Sequence, residues 1–325
     1  MKKHFKKLLL MALMAVMAVG LIACGTDKSD NESTKEEKTS VTITSLDASK
    51  NEIELGVPYN PKRIAILDLV CLDIIDELGV GDRVVGMAST SIDYLEKYSN
   101  DASIKNLGTI KEADLEAVME CEPDIIFIGG RLSKSYDALS EIAPVVYLAT
   151  DTNEGLVNSV SKNAKTIASI FGMEDKIDSL MSDFGARIDA IKKISSGKTA
   201  LVGMTTSGSF NLLGNDGRCS LIGVEAGFNN LTAVGSTSTH GNETSFETVV
   251  QQNPDYIFVM DRDSAISTAG AKTAKEIVEN ELVKTTDAYK NNHIIYLEHS
   301  NVWYTAEGGI QALDIMLTDL EKGLK

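Results

Sequence analysis

The chain has 325 residues, a length that suits two domains better than one. Its composition, 43% hydrophobic and 24% charged, is typical of a globular protein. The formal charge of −16 becomes −20 when the four lysines of residues 1–23 are set aside. So acidic a body predicts no nucleic-acid partner, and it makes any cluster of arginines conspicuous.

The N-terminus has the pattern of a bacterial lipoprotein. Four lysines precede an apolar run of sixteen residues, 8–23, which is short for a membrane span of about 20 residues. The run ends in Leu21-Ile22-Ala23-Cys24, which resembles a lipobox. We predict a signal peptide at residues 1–23 and a lipidated Cys24 that carries palmitate. An uncleaved signal anchor is the alternative.

The segment that follows is polar throughout. Residues 25–40 contain no apolar side chain, so they have nothing to bury and predict a disordered tether. With Cys24, residues 24–40 would hold the globular part on the extracytoplasmic face of the cell membrane.

Apolar strands alternate with helical patterns through the rest of the chain. The strand-like segments 63–67 and 145–148 enclose a helical segment that Gly79 stops, and the segments 199–203 and 294–297 repeat the arrangement. Such alternation is typical of parallel sheets that are buried on both faces. We predict an α/β fold with two Rossmann-like lobes, residues 41–153 and 196–325, and mostly parallel sheets.

A sixteen-residue segment occurs once in each lobe. Residues 116–131 and 247–262 are identical at seven positions, including a Pro-Asp pair and a final arginine. Each copy predicts a short helix, a break at Pro-Asp and a strand that ends at Arg131 or Arg262. Ligands bind beyond the carboxyl ends of strands in open α/β sheets. The matched arginines therefore predict a ligand cleft between the lobes, and ordinary surface ion pairing is the alternative.

The lobes are separated by residues 154–195, in which apolar residues recur with helical period and no proline occurs. We predict one long backbone helix that joins the lobes. Gly172 is the place where it can break, and Gly185 is a tolerable interruption.

Further candidate site residues lie in loops of the second lobe. Arg218 lies in the loop 213–218, and a guanidinium offers planar donors that match carboxylate, phosphate or catecholate oxygens. His240 lies in a polar loop ahead of the second repeat, where Thr244 and Glu247 resemble a capping box. The single tryptophan, Trp303, and Tyr304 lie in a Gly-rich segment, 301–309. This placement predicts contact of Trp303 with a ligand, and a lid over the core is the alternative.

The cysteines and histidines predict no resident metal. Cys71, Cys121 and Cys219 form no metal-binding spacing and are expected to be small buried residues, with a Cys71–Cys121 disulfide left open. Three histidines beyond the signal segment are few for a bare zinc or manganese site. No motif of a hydrolase, metalloprotease or nucleotide-binding loop is present. We therefore expect a protein without intrinsic cofactor that is not an enzyme.

Residues 41–325 resemble the substrate-binding lipoproteins of iron–siderophore ABC importers, which are class III periplasmic binding proteins. The resemblance rests on the following segments: Leu107-Gly108, Asp114-Leu115-Glu116, Pro123-Asp124-Ile125-Ile126-Phe127 and the decapeptide from Asn253 to Arg262. It is most specific to the branch that binds ferric catecholates, such as petrobactin and enterobactin. It implies a monomer that captures a ferric siderophore and delivers it to an ABC permease and its ATPase.

The same resemblance implies roles for individual residues. Arg131, Arg218 and Arg262 match a cleft of three arginines that holds the ligand, while His240 and Tyr304 match residues that close two open positions on the iron. Three catecholates on Fe³⁺ leave three negative charges, which three arginines would neutralise. Haem, a corrinoid or a hydroxamate siderophore on the same fold is the nearest alternative. An extracellular enzyme and a sensor or adhesion domain are more distant ones.

Overall fold

The structure, a computed structural model, describes residues 38–232, 238 and 240–325. The predicted signal peptide, Cys24 and the tether up to residue 37 lie outside the described residues. Within the described part of the chain, no helix combines the length and the apolar character that crossing a membrane requires.

The described strands fall into two hairpin-like ladders and two larger sheets. In chain order they are β1 (Ser40–Leu46), β2 (Glu52–Pro58), β3 (Ile64–Ile66), β4 (Val84–Met87), β5 (Lys105–Asn106), β6 (Gly108–Thr109), β7 (Glu112–Ala113), β8 (Ile125–Ile128), β9 (Val145–Tyr147), β10 (Thr199–Thr206), β11 (Ser209–Leu212), β12 (Asn229–Asn230), β13 (Asn242–Glu243), β14 (Tyr256–Asp261) and β15 (Ile294–Tyr296).

The helices alternate with these strands. They are α1 (Leu69–Leu78), α2 (Glu96–Ser99), α3 (Leu115–Glu120), α4 (Tyr136–Ser140), α5 (Leu156–Phe171), α6 (Glu174–Ser195), α7 (Ser220–Gly223), α8 (Phe246–Gln252), α9 (Arg262–Ala265), α10 (Ala274–Val278), α11 (Asp287–Lys290), α12 (Ser300–Thr305) and α13 (Ile310–Gly323). Short 3₁₀ segments occur at Gly81–Arg83, Asp93–Leu95, Gly130–Ser135, Thr152–Glu154 and Val283–Thr285.

Each lobe is built on one sheet, as predicted. The first sheet has the order β5-β4-β3-β8-β9 and is parallel throughout. The second has the order β13-β11-β10-β14-β15, with β12 also paired to β10. Its central pairs are parallel, while β11 runs antiparallel to both β10 and β13. The α/β fold with two lobes and mostly parallel sheets is therefore confirmed.

The repeated Pro-Asp pair has a structural role that is the same in both lobes. Asp124 accepts the main-chain N–H groups of Lys62 at 2.7 Å and Arg63 at 2.9 Å, just ahead of β3. Asp255 accepts the N–H and the hydroxyl of Thr199, both at 2.9 Å, at the start of β10. Each aspartate thus ties the strand of its own repeat to the parallel strand beside it.

The segment between the lobes is two helices, since α5 ends at Phe171 and α6 begins at Glu174. Gly172 has φ of 68°, a left-handed conformation that ends α5. A Cβ at this position would come within 2.4 Å of the Tyr59 hydroxyl. The break that the sequence allowed near Gly172 is present, whereas Gly185 lies inside α6 without interrupting it.

Several local details differ from the sequence-based expectations. Strand β1 begins at Ser40, the last residue of the predicted tether, and pairs with β2 in a hairpin that the apolar pattern did not indicate. The N-cap of α8 is Ser245, whose hydroxyl accepts the N–H of Thr248 at 3.3 Å, so the proposed box of Thr244 and Glu247 is wrong. Among the described residues the three cysteines are buried and free, which answers the open disulfide question.

The two lobes meet at a buried carboxylate. Asp73, on α1 of the first lobe, is fully buried and accepts the N–H groups of Ile310, Gln311 and Ala312 at 2.6–2.9 Å. These are the first residues of α13 in the second lobe, where unpaired N–H groups and the helix dipole favour an anion. The hydroxyl of Tyr94 donates to the same carboxylate at 2.6 Å.

Candidate functional site

A cavity of about 480 Å³ lies between the lobes, at the carboxyl ends of the strands of the first sheet. The first lobe contributes Asp68, which follows β3, and Gly129 to Arg131, which follow β8. The second lobe contributes Arg218, Tyr304 and Glu307. Strand ends of a parallel sheet therefore supply one wall, and loops and helix α12 of the opposite lobe supply the other, as expected for ligand sites in open α/β folds.

Three of the predicted site residues converge on Tyr304. The guanidinium carbon of Arg218 lies 4.5 Å from the centre of the tyrosine ring, and that of Arg262 lies 5.5 Å from it. Arg262 also donates from Nε to the Tyr304 hydroxyl at 3.1 Å. The ring of His240 lies 6.5 Å from the tyrosine ring and is inclined to it by 26°. Cation–π contacts of this kind hold guanidinium groups in place beside an aromatic face.

The two arginines of the repeat occupy matching places in their lobes. Arg131 lies in the 3₁₀ segment directly after β8, and Arg262 is the first residue of α9 directly after β14. Arg262 is further held by Thr206, whose hydroxyl accepts from it at 3.2 Å, and by Asp263 at 3.3 Å. The repeat thus delivers one guanidinium from each lobe to the edge at which ligands bind.

Positively charged side chains lie close together in the cleft and lower the pKa values of their neighbours. Burial lowers the pKa of Arg131, and the positive charge of Arg218 lowers it further, against the opposing influence of Asp68. Burial also lowers the pKa of His240, assisted by the charges of Arg262 and Arg218. The imidazole of His240 is therefore neutral near pH 7 and keeps a nitrogen lone pair available for a metal ion.

Trp303 does not face the cleft, and its predicted ligand contact is wrong for this structure. The side chain is fully buried, and its indole N–H donates to Asp319 on α13 at 3.0 Å. The segment from residue 300 is the short helix α12 rather than a loop. Neighbours on a helix point about 100° apart, so Tyr304 reaches the cleft while Trp303 packs into the core.

Two carboxyl groups of the cleft were missing from the predicted set. Asp68 caps α1 by accepting the N–H groups of Val70 and Cys71 at 3.0 and 3.1 Å. Glu307 accepts the N–H of Cys219 at 3.0 Å. Burial raises the pKa of both, to about 8 for Glu307. Asp68 could have been found by its place after a strand, since that is the edge at which ligands bind. Glu307 is half-buried, and its surroundings bring together segments that are distant along the chain.

Comparison with known proteins identifies the class. The family model described as periplasmic binding protein matches residues 64–300. The petrobactin-binding protein YclQ of Bacillus subtilis is 35% identical over 98% of this chain and 99% of its own length. Its crystal structure gives a TM-score of 0.81 over 88% of this chain and 99% of that chain.

Two further relatives bind iron chelates according to their names. The ferric-anguibactin-binding protein FatB of Vibrio anguillarum is 26% identical over 82% of this chain and 84% of its own length. The periplasmic catecholate-siderophore binding protein VctP of Vibrio cholerae is 30% identical, with a TM-score of 0.78 over 87% of this chain and 100% of that chain.

A two-lobed α/β fold with a polar cleft between the lobes defines a solute-binding protein of the importer type. The match over most of the chain shows that this protein belongs to the periplasmic binding protein family. Its relatives are substrate-binding transport proteins, not enzymes.

Proposed function

We propose that this protein captures a ferric siderophore of the catecholate type outside the cytoplasm and delivers it to an ABC permease for iron uptake. The observation that carries the proposal is the convergence of Arg218 and Arg262 on Tyr304, with Arg131 across the same cleft. A ferric tris-catecholate is a compact trianion, and guanidinium groups pair with catecholate oxygens through charge-assisted hydrogen bonds of about 1.5–3 kcal/mol each.

The iron itself is cargo, and two residues suit it as supplementary ligands. A siderophore with only two catecholates leaves two positions open on Fe³⁺, which prefers anionic oxygen. The phenol of Tyr304 and the neutral imidazole of His240 lie close enough together, with ring centres 6.5 Å apart, to support a role for both at those positions. Arg262, which donates to the phenol oxygen, would stabilise a phenolate there.

The location of the protein is part of the proposal. The lipobox ending at Cys24 and the polar tether support a lipid anchor that leaves the binding lobes on the extracytoplasmic face of the cell membrane. Two relatives that are named as lipoproteins, one of them as a putative substrate-binding lipoprotein of an ABC transporter, support the same arrangement. We propose that the protein acts as a monomer that docks on the permease and carries no cofactor of its own.

Tryptophan fluorescence tests the proposal. Trp303 is the sole tryptophan and lies next to Tyr304, so a coloured ferric complex bound in the cleft will quench it. We expect saturation at one equivalent and submicromolar concentration for a ferric catecholate, and none for a ferric hydroxamate or haem. Tight binding of haem or hydroxamate without any response to the catecholate would refute the ligand and the arginine roles while leaving the family intact.

A further inference from the structure

Glu307 holds the loop that presents one of the cleft arginines. It lies on the link between α12 and α13 and lines the cleft. Its Oε1 accepts the main-chain N–H of Cys219 at 3.0 Å, and Cys219 directly follows Arg218. Cys219 has φ of 61°, a left-handed conformation that a residue with a side chain adopts at some cost. The carboxyl group of Glu307 therefore helps to fix the backbone from which Arg218 reaches the ligand site.

Charged groups from several elements surround this carboxyl group. They are Arg218 ahead of α7, Glu225 after α7, and Lys50, Asp68 and Arg131 on the first-lobe wall of the same cleft. Burial is the dominant influence on Glu307 and raises its pKa to about 8, with Glu225 acting in the same direction. The N–H of Cys219 and the charge of Arg218 oppose that shift. The buried thiol of Cys219 stays neutral because burial raises its pKa as well.

An ionised carboxylate and an anionic ligand compete for the same guanidinium groups. We propose that Glu307, in its ionised form, is the internal counter-anion of the arginine cleft and that this form takes up one proton from solvent when a ferric catecholate binds. This inference rests on the proposed function and adds a proton to its binding reaction. Before binding, the carboxylate balances part of the charge of Arg218. A bound trianion repels the ionised carboxylate and raises its free energy. Protonation of the carboxylate, which forms an O–H bond, removes this repulsion.

The proton makes binding depend on pH in a defined direction. Below pH 8 most Glu307 is already protonated, and binding needs little further uptake. Above pH 8 each complex must draw a proton from a solution that holds fewer of them. Affinity then falls by up to about tenfold per pH unit. Glu307→Gln, which cannot ionise but keeps an oxygen for the N–H of Cys219, should have a flat profile over the same range.

Calorimetry of the purified protein with ferric enterobactin, a tris-catecholate complex, tests this inference. Titrations at pH 8 in two buffers of different ionisation enthalpy give the number of protons taken up. We expect about half a proton per complex for the wild-type protein and none for Glu307→Gln. Glu279→Gln is the matched control, because Glu279 is a part-buried acceptor of the same lobe, 3.2 Å from the Tyr296 hydroxyl, and lies outside the lining of the cleft. It should retain the wild-type uptake.

The possible outcomes distinguish a failure of this inference from a failure of the proposed function. A one-to-one complex that forms without proton uptake overturns the inference and leaves the proposed function in place. The same holds if Glu307→Gln takes up as many protons as the wild type, or if Asp68→Asn abolishes the uptake in its stead. Absence of any complex with ferric enterobactin, at pH 7 and at pH 8, refutes both the inference and the proposed function.

Discussion

Arg218 lies over the ring of Tyr304, and its positive charge is expected to meet the ligand directly. Replacing it with glutamine removes one charge and its hydrogen bonds, which are worth about 1.5 kcal/mol or more. We expect Arg218→Gln to weaken binding of ferric enterobactin by about tenfold or more. Quenching of Trp303 fluorescence measures the affinities of the wild type and of the variant.

Arg63 provides the control for this substitution. It lies at the amino end of β3, the edge of the sheet opposite to the cleft, and donates to the carbonyl oxygens of Cys121 and Glu122. Arg63→Gln should leave the affinity for ferric enterobactin unchanged. Equal losses in the two variants would mean that long-range charge, rather than contact with Arg218, attracts the ligand.

The effects of substituting Tyr304 and His240 should depend on the number of catecholates in the ligand. A bis-catecholate complex of iron leaves two positions for the phenol and the imidazole, whereas a tris-catecholate leaves none. We expect Tyr304→Phe and His240→Ala to weaken the bis-catecholate complex and to change its visible absorption. His240→Ala should leave the spectrum of bound ferric enterobactin unaltered. An unchanged spectrum for both ligands would contradict coordination by the protein.

Whether a site residue can be predicted from the sequence depends on what positions it in the fold. Arg131 and Arg262 could be found because a repeated sequence puts them after equivalent strands. Trp303 was misassigned because sequence adjacency to Tyr304 says nothing about direction on a helix, where the two side chains diverge by about 100°. Glu307 could not be found from sequence, because its raised pKa depends on burial between segments that are distant along the chain.

Two glycines in the connecting helices test what ends a helix. Gly172 has φ of 68°, and a Cβ there would clash with the Tyr59 hydroxyl, so Gly172→Ala should destabilise the protein by about 1–2 kcal/mol. Gly185 lies inside α6 with open space around its Cα, so Gly185→Ala should stabilise by about 0.5–1 kcal/mol. Urea unfolding measures both free energies. Two changes of the same sign would contradict the assignment of the break to Gly172.

The central strands and helices could be predicted from the sequence more fully than the segments that join them. The central strands and the helix that ends at Gly79 follow from apolar runs and a left-handed cap, which are local signals. The β1–β2 hairpin was missed because its apolar residues alternate with exposed ones instead of forming a continuous run. One inward-facing residue, Ser45, is polar and buried, and it donates to the carbonyl oxygen of Tyr147 at 3.3 Å. The helical period continues unchanged past Gly172, so periodicity does not reveal the break. The glycine indicates that a break is possible but not its geometry.

At the scale of the whole molecule, the lobes are joined by contacts that resist separation. Helix α1 of the first lobe packs against α13 and α5, and Asp73 accepts three N–H groups at the start of α13. Opening the cleft at this joint would break the three hydrogen bonds between Asp73 and the start of α13. We expect the lobes to keep their spacing on binding, and small-angle X-ray scattering should give the same radius of gyration with and without ferric enterobactin.

The same joint should make stability depend on pH. Burial raises the pKa of Asp73 to about 6, whereas an aspartate in an unfolded chain titrates near pH 3.9. The folded protein therefore holds this proton more tightly, so the stability that the proton contributes is complete below about pH 4 and is lost as the pH rises to about 6. Relative to Asp73→Asn, the wild type should lose on the order of 1–3 kcal/mol of unfolding free energy between pH 4 and pH 7.

Urea unfolding at four pH values between 4 and 7 measures this difference. Asp178→Asn is the control for replacing an aspartate at the surface, because Asp178 is exposed and paired with Lys165 at 2.6 Å. Asp73→Asn should add a pH-independent loss of stability to this pH-dependent difference, since its amide N–H₂ would face the N–H donors of α13. Parallel curves for the wild type and Asp73→Asn would mean that Asp73 stays ionised across this range. The four hydrogen bonds to its carboxylate would then outweigh its burial.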